Sequence, residues 1–158
     1  MTLMKAVILC IVALTAFPAV AQDTQSDTNM EILRDKVKAD KKLVIAANMD
    51  LNEVEGKAFW PIYDAYQKDL QGINDRLGKA ILAYADAYNK KTLTNAQAMQ
   101  LSNEVQAIDQ DELTLRKTYA DQLGKVIPGI KVARYLQIEN KIRAAIRYDL
   151  AKGIPLVQ

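Results

Sequence analysis

From Asn52 to Tyr88 the apolar residues keep helical step for about ten turns. They fall at Phe59, Ile62, Tyr63, Tyr66, Leu70, Ile73, Leu77, Ile81, Tyr84 and Tyr88. The intervals are threes and fours, which keeps side chains on one side of an α-helix. At about 100° per residue they fit a stripe roughly 100° wide. Lys57, Asp64, Lys68, Asp75 and Asp86 lie off the stripe. Such a helix is about 55 Å long at about 1.5 Å per residue. That exceeds the diameter of a small domain, so other helices must pack along it. The sequence therefore predicts an all-α protein.

The chain has 158 residues, enough for one domain with one modest core. Residues 1–21 read as a secretory signal peptide. Lys5 supplies the positive start, and Ala6 to Phe17 is an apolar run too short to cross a bilayer comfortably. Ala19-Val20-Ala21 is a small-x-small cleavage pattern, which puts the processed start at Gln22 and favours cleavage over a retained anchor. Cys10 is not a lipid-attachment site, because it lies inside the apolar run and follows the bulky Leu9. The expected location is the periplasm. Beyond residue 21 there is no cysteine and no histidine. No disulfide can form, so helix packing must supply the stability. Most zinc, copper and haem ligand sets are removed as well, together with His- and Cys-dependent nucleophile chemistry. No metal or cofactor is expected. The precursor carries +2 from 21 basic and 19 acidic residues. Loss of Lys5 leaves 20 against 19, or +1, which makes no case for nucleic acid.

Residues 22–29 are polar and aperiodic and read as a flexible leader. Thr28 with Glu31 has capping-box chemistry, and a first helix is expected from Met30 to Asn48. Leu33, Val37, Val44 and Ala47 mark its buried side, with Ile32 and Leu43 beside them. Its lysines, among them Lys36 and Lys41, read as a solvated face. Asn52 and Glu55 form a second cap and open the long helix. Pro61 lies inside that helix and removes the hydrogen bond to the Lys57 carbonyl, which predicts a kink near Phe59–Pro61. Trp60 points off the stripe, either covering an adjoining helix or making an exposed contact. Asn89-Lys90-Lys91 ends the helix.

Thr94 and Gln97 form a third cap, opening a helix to about Val126. Its apolar side is Leu101, Val105, Ile108, Leu115, Tyr119, Leu123 and Val126. Glu112 falls in the middle of that side and needs a partner; Arg116, one turn on, is the nearest. Pro128-Gly129 makes a turn. The last helix is expected over Ile130 to Lys152, with Val132, Tyr135, Ile138, Ile142, Ile146 and Leu150 on one face. Arg134 and Lys141 flank it on one side, Arg143 and Arg147 on the other. Glu139 can pair with Arg143 at the i,i+4 spacing. Residues 30–152 thus form one helical domain. The apolar tail, 153–158, either folds back over the helices or serves as a docking peptide.

Leucines precede two of the caps. Leu93-Thr94-Asn95-Ala96-Gln97 matches the LTxxQ pattern in full, and Leu51-Asn52-Glu53-Val54-Glu55 matches it with Asn for Thr and Glu for Gln. With the export signal and the helical layout, the chain resembles the Spy/CpxP (LTxxQ) family of bacterial periplasmic proteins. The sequence reads as four helices in the processed chain, and the resemblance implies that they form a long antiparallel helical hairpin with shorter packing helices, in that family often paired into a cradle-like homodimer. It implies an ATP-independent chaperone for unfolded envelope proteins, or a restraint on an envelope-stress sensor kinase. Some relatives are linked to zinc, a role that the lack of His and Cys argues against here. The matched residues Leu51, Asn52, Glu55, Leu93, Thr94 and Gln97 are helix caps and staples by their own chemistry.

No Gly-rich phosphate loop, metal-ligand cluster or nucleophile–base pair is visible, so no catalytic residue is assigned and no enzyme is expected. The leading expectation is a periplasmic stress-response chaperone with reversible apolar and basic contacts. Phe59, Trp60 and Tyr63 are the candidate client contacts, aromatic area at little rotamer cost, with Arg143 and Arg147 adding charge. The alternative is a dedicated interaction module with one envelope partner. A weaker third reading is association of the basic last helix with an anionic membrane surface.

Overall fold

The computed structural model describes residues 40–157. The expected signal peptide, leader, Thr28–Glu31 cap and first-helix residues up to 39 lie outside the described residues. The chain divides into two units, 1–42 and 43–158, and the architecture below is that of the second. All four helices among the described residues follow in chain order with no strand between them: α1 over 40–49, α2 over Glu53–Lys90, α3 over Asn95–Leu123 and α4 over Gly129–Gly153. The fold is all-α, built on an antiparallel hairpin of α2 and α3.

Local chemistry sets each helix boundary. At the start of α2 the Asn52 side chain accepts the Glu55 N–H, and Glu55 Oε2 accepts the Asn52 N–H, both at 2.9 Å. At the start of α3, Thr94 Oγ1 accepts the Gln97 N–H at 3.2 Å, and Gln97 Oε1 accepts the Thr94 N–H at 3.1 Å. Each box satisfies two backbone donors that a helix start would leave unpaired. Glu53 and Glu55 in the first turn of α2 and Lys90 in its last complement the helix dipole. α2 ends with Lys91 left-handed at φ 54°. The N–H groups of Thr92 and Lys91 return to the carbonyls of Ala87 and Tyr88, the double closure that reverses a chain tightly.

α2 runs without a break through Pro61. Pro61 and Lys57 both lie on the solvent side, so water can serve the carbonyl that the proline leaves without a donor. None of the ten stripe residues is exposed. The core gathers Phe59, Tyr63, Tyr66 and Leu70 of α2, Tyr119 and Leu123 of α3, Val132 and Tyr135 of α4, and Ile45 and Met49 of α1. The α2 and α3 backbones approach closely, whereas α4 stands further off, with Tyr135 filling the gap. Its ring meets those of Phe59, Tyr63 and Tyr66 edge-on at 5.3, 6.1 and 6.3 Å.

Two expected faces shift. In α1 the buried residues are Ile45 and Met49, while Val44, Ala47 and Leu43 are exposed. Leu43-Val44-Ile45-Ala46-Ala47 offers an apolar residue at every helical phase, so periodicity could not choose the face and tertiary packing did. At the end of α3, Val126 is exposed and Ile127 is buried in its place. α3 stops at Leu123, and Val126 and Ile127 both donate to the Leu123 carbonyl. That tight turn moves the inward position one residue on.

Candidate functional site

Glu55 does more than cap α2. Lys131 Nζ, at the start of α4, donates to Glu55 Oε2 at 2.5 Å and to the Asp50 carbonyl at 2.7 Å. One cation thus ties the end of α1, the cap of α2 and the start of α4. This Lys131 contact, then the Asn52 N–H, holds the Glu55 carboxyl below its usual range. The Leu51 staple packs against the core. The motif residues cap helix starts, and Glu55 through Lys131 also ties α2 to α4.

The expected client contacts are corrected by their positions. Phe59 is 0% and Tyr63 2% exposed, so both are core residues and cannot touch a client in the folded chain. Trp60 is half-buried and packs edge-on against Phe59 and Tyr63 at 5.0 and 5.4 Å, a lid on its own helix. Arg143 and Arg147 turn inward toward α3. Arg143 Nε lies 2.5 Å from Glu112 Oε1, in a charge contact without hydrogen-bond alignment. Arg147 Nη2 donates to Asp109 Oδ1 at 2.6 Å and to Glu112 Oε2 at 3.1 Å. The partner of Glu112 is therefore this pair on α4 and not Arg116. Glu112 is only 6% exposed, and two guanidinium groups offset the cost of burying its charge.

A second carboxylate is buried among phenols. Glu139 on α4 accepts from the Gln67 amide at 3.2 Å. Burial first, and the Glu139 charge second, push the hydroxyls of Tyr63, Tyr66 and Tyr135 well above the ordinary tyrosine range. These phenols stay protonated and serve packing. Tyr119 donates to Asp69 at 2.6 Å, which raises its hydroxyl too. Among the described residues no cluster of His, Cys, Asp and Glu could hold a metal ion, and no helix is long and apolar enough to cross a membrane.

What remains open lies at the far end of the hairpin. An apolar groove of about 380 Å³ runs between Ile81 and Tyr84 of α2 and Leu101 and Val105 of α3. The tail folds back along it, and Tyr84 donates its hydroxyl to the Pro155 carbonyl at 2.9 Å. Of the two readings of the tail, the structure thus takes the return over the helices. Leu82 on α2, Met99 on α3 and Leu156 of the tail are 71%, 61% and 88% exposed. A second, polar groove of about 530 Å³ lies between α1 and α4, with Arg134, Lys141 and Asp50 on its walls.

Leu82, Met99 and the groove escaped sequence reasoning, though a signal existed. The apolar stripe of α2 continues to Tyr88, while α4 stops at Gly153 near the level of Tyr84. α4 is too short to cover the stripe. Fold and groove define an all-α hairpin protein with an apolar groove at one end. Compared with family models, with curated proteins and with solved structures, the chain matches none.

Proposed function

We propose that the chain is an exported, ATP-independent chaperone of the LTxxQ type, acting in the periplasm on unfolded envelope proteins. The observation that carries this reading is the partly open apolar groove lined by Ile81, Tyr84, Leu101 and Val105, with the exposed Leu156 at its edge. Apolar area of this kind binds without directional demands, and shallow contact lets a client leave without an energy source. The two capped helix starts support the same reading, because they give the LTxxQ residues a working role in the hairpin. Client contact moves away from Phe59 and Tyr63 to the hairpin's far end. Charge attraction comes from Arg134 and Lys141, both exposed, in place of the inward-facing Arg143 and Arg147.

The purified chain from Gln22 onward is expected to delay aggregation of an unrelated unfolded protein without nucleotide. Lack of protection at several-fold molar excess refutes the reading. Crosslinking in cells separates it from a dedicated interaction module: many client bands support the chaperone, one dominant band the module.

A further inference from the structure

The tail shows what kind of segment the groove accepts. After α4, Ile154 turns extended at φ −95° and ψ 117°, and the segment Ile154-Pro155-Leu156-Val157 runs along the groove. Its polar contact there uses a backbone carbonyl, that of Pro155, which takes the Tyr84 hydroxyl. A contact of this type reads chain direction and extension but not side-chain identity. Ile154 is partly buried, whereas Leu156 and Val157 stay largely in water. The tail is thus seated at its start and loose at its end. Its displacement would give an incoming chain both the apolar floor and the Tyr84 donor.

We propose that this groove docks an extended aliphatic segment of an unfolded protein, and that residues 154–157 hold the site as an internal placeholder which the segment displaces. The proposal rests on the chaperone reading and narrows its substrate class to extended, branched-aliphatic stretches. The backbone donor makes the site tolerant of sequence, and the floor of Ile81, Leu101 and Val105 excludes charged stretches.

The test uses fluorescence anisotropy with a labelled peptide of the tail's own sequence, Gly-Ile-Pro-Leu-Val-Gln. The chain from Gln22 onward is compared with a variant ending at Gly153 and with the full-length variant Ile154→Asp, which releases the tail without shortening the chain. Both variants are expected to bind the peptide at least about ten-fold more tightly than the parent, since the intramolecular competitor is gone. Adding Tyr84→Phe is expected to weaken binding about five-fold, the worth of one hydrogen bond. Ser102→Asp, on the exposed lip of the groove, is expected to abolish it. A peptide with Ile, Leu and Val replaced by Ser and Asn should not bind. Equal binding to parent and released forms, or none to either, overturns the proposal. A parent that is dimeric by light scattering, with the Gly153-terminated form monomeric, also overturns it, because the tail would then belong to a partner copy's groove. If the peptide binds as expected and neither form delays aggregation, the chaperone reading fails and the groove stands. If Ser102→Asp abolishes peptide binding but leaves aggregation delay unchanged, the reading stands and the placeholder fails.

Discussion

Phe59→Ala separates a packing role from a client-contact role for the aromatic start of α2. Phe59 is fully buried, and truncating a buried phenylalanine to alanine costs about 3–5 kcal/mol. Its ring also meets Trp60, Tyr63 and Tyr135 at 5.0, 5.9 and 5.3 Å. Each such pair adds about 0.5–1.5 kcal/mol beyond area burial, so the expected loss lies at the upper end, about 4–5 kcal/mol. The unfolding entropy is about 2.1 cal/mol/K per residue, which over the roughly 120 described residues converts the loss to a fall in Tm of about 15–20 °C. Phe59→Leu keeps most of the volume and should lose about 1–1.5 kcal/mol. Far-UV circular dichroism gives Tm. Emission from Trp60, the chain's one tryptophan, reports the site directly and should shift to the red in Phe59→Ala as water reaches the indole. An alanine variant that melts within about 3 °C of the parent, with unchanged emission but lost client protection, would refute the core assignment.

Three further outcomes rest on the same geometry. Thr94→Ala removes the acceptor for the Gln97 N–H and should cost about 1 kcal/mol, read as a drop of about 4 °C in Tm. Glu112→Gln leaves Asp109 alone to face Arg143 and Arg147; since both arginines can turn partly to water, a loss of about 2 kcal/mol in denaturant unfolding is expected, less than for a fully buried pair. The Glu55 carboxyl is lowered in the folded chain, chiefly by Lys131. Its contribution is therefore present above the ordinary glutamate value of 4.5 and lost as pH falls through the lowered folded value. Glu55→Gln should be less stable than the parent at neutral pH and approach it in acid; a constant gap in urea midpoints across that range would contradict the Lys131 tie.

The helices were legible because their signals are local. Asn52 with Glu55 and Thr94 with Gln97 announce helix starts within four residues of sequence, and the stripe from Phe59 to Tyr88 repeats often enough to override Pro61. Partners between helices were not legible. Sequence spacing pairs Glu112 with Arg116 because one turn is the only distance a sequence displays, yet Arg143 and Arg147 arrive from another helix once the chain has reversed at Pro128. The client contacts failed for a related reason. Phe59 and Tyr63 look like free aromatic area until Tyr135 comes to lie against both.

The open site is instead a matter of length, which a sequence does carry. α2 supplies about 57 Å of helix from 38 residues, and α4 about 37 Å from 25. A covering helix that begins beside Glu55 must run out before the stripe does. Beyond Gly153 the chain continues as a proline-containing segment that cannot extend the helix. The last turns of the stripe are thus left to an extended tail joined by a phenol-to-carbonyl bond at Tyr84. Extending α4 by about one turn, with helix-forming residues in place of Ile154 and Pro155, would seal the groove and raise stability. Under the proposed function it would lower client protection in the same variant, and that opposition is what a purely structural tail would not produce.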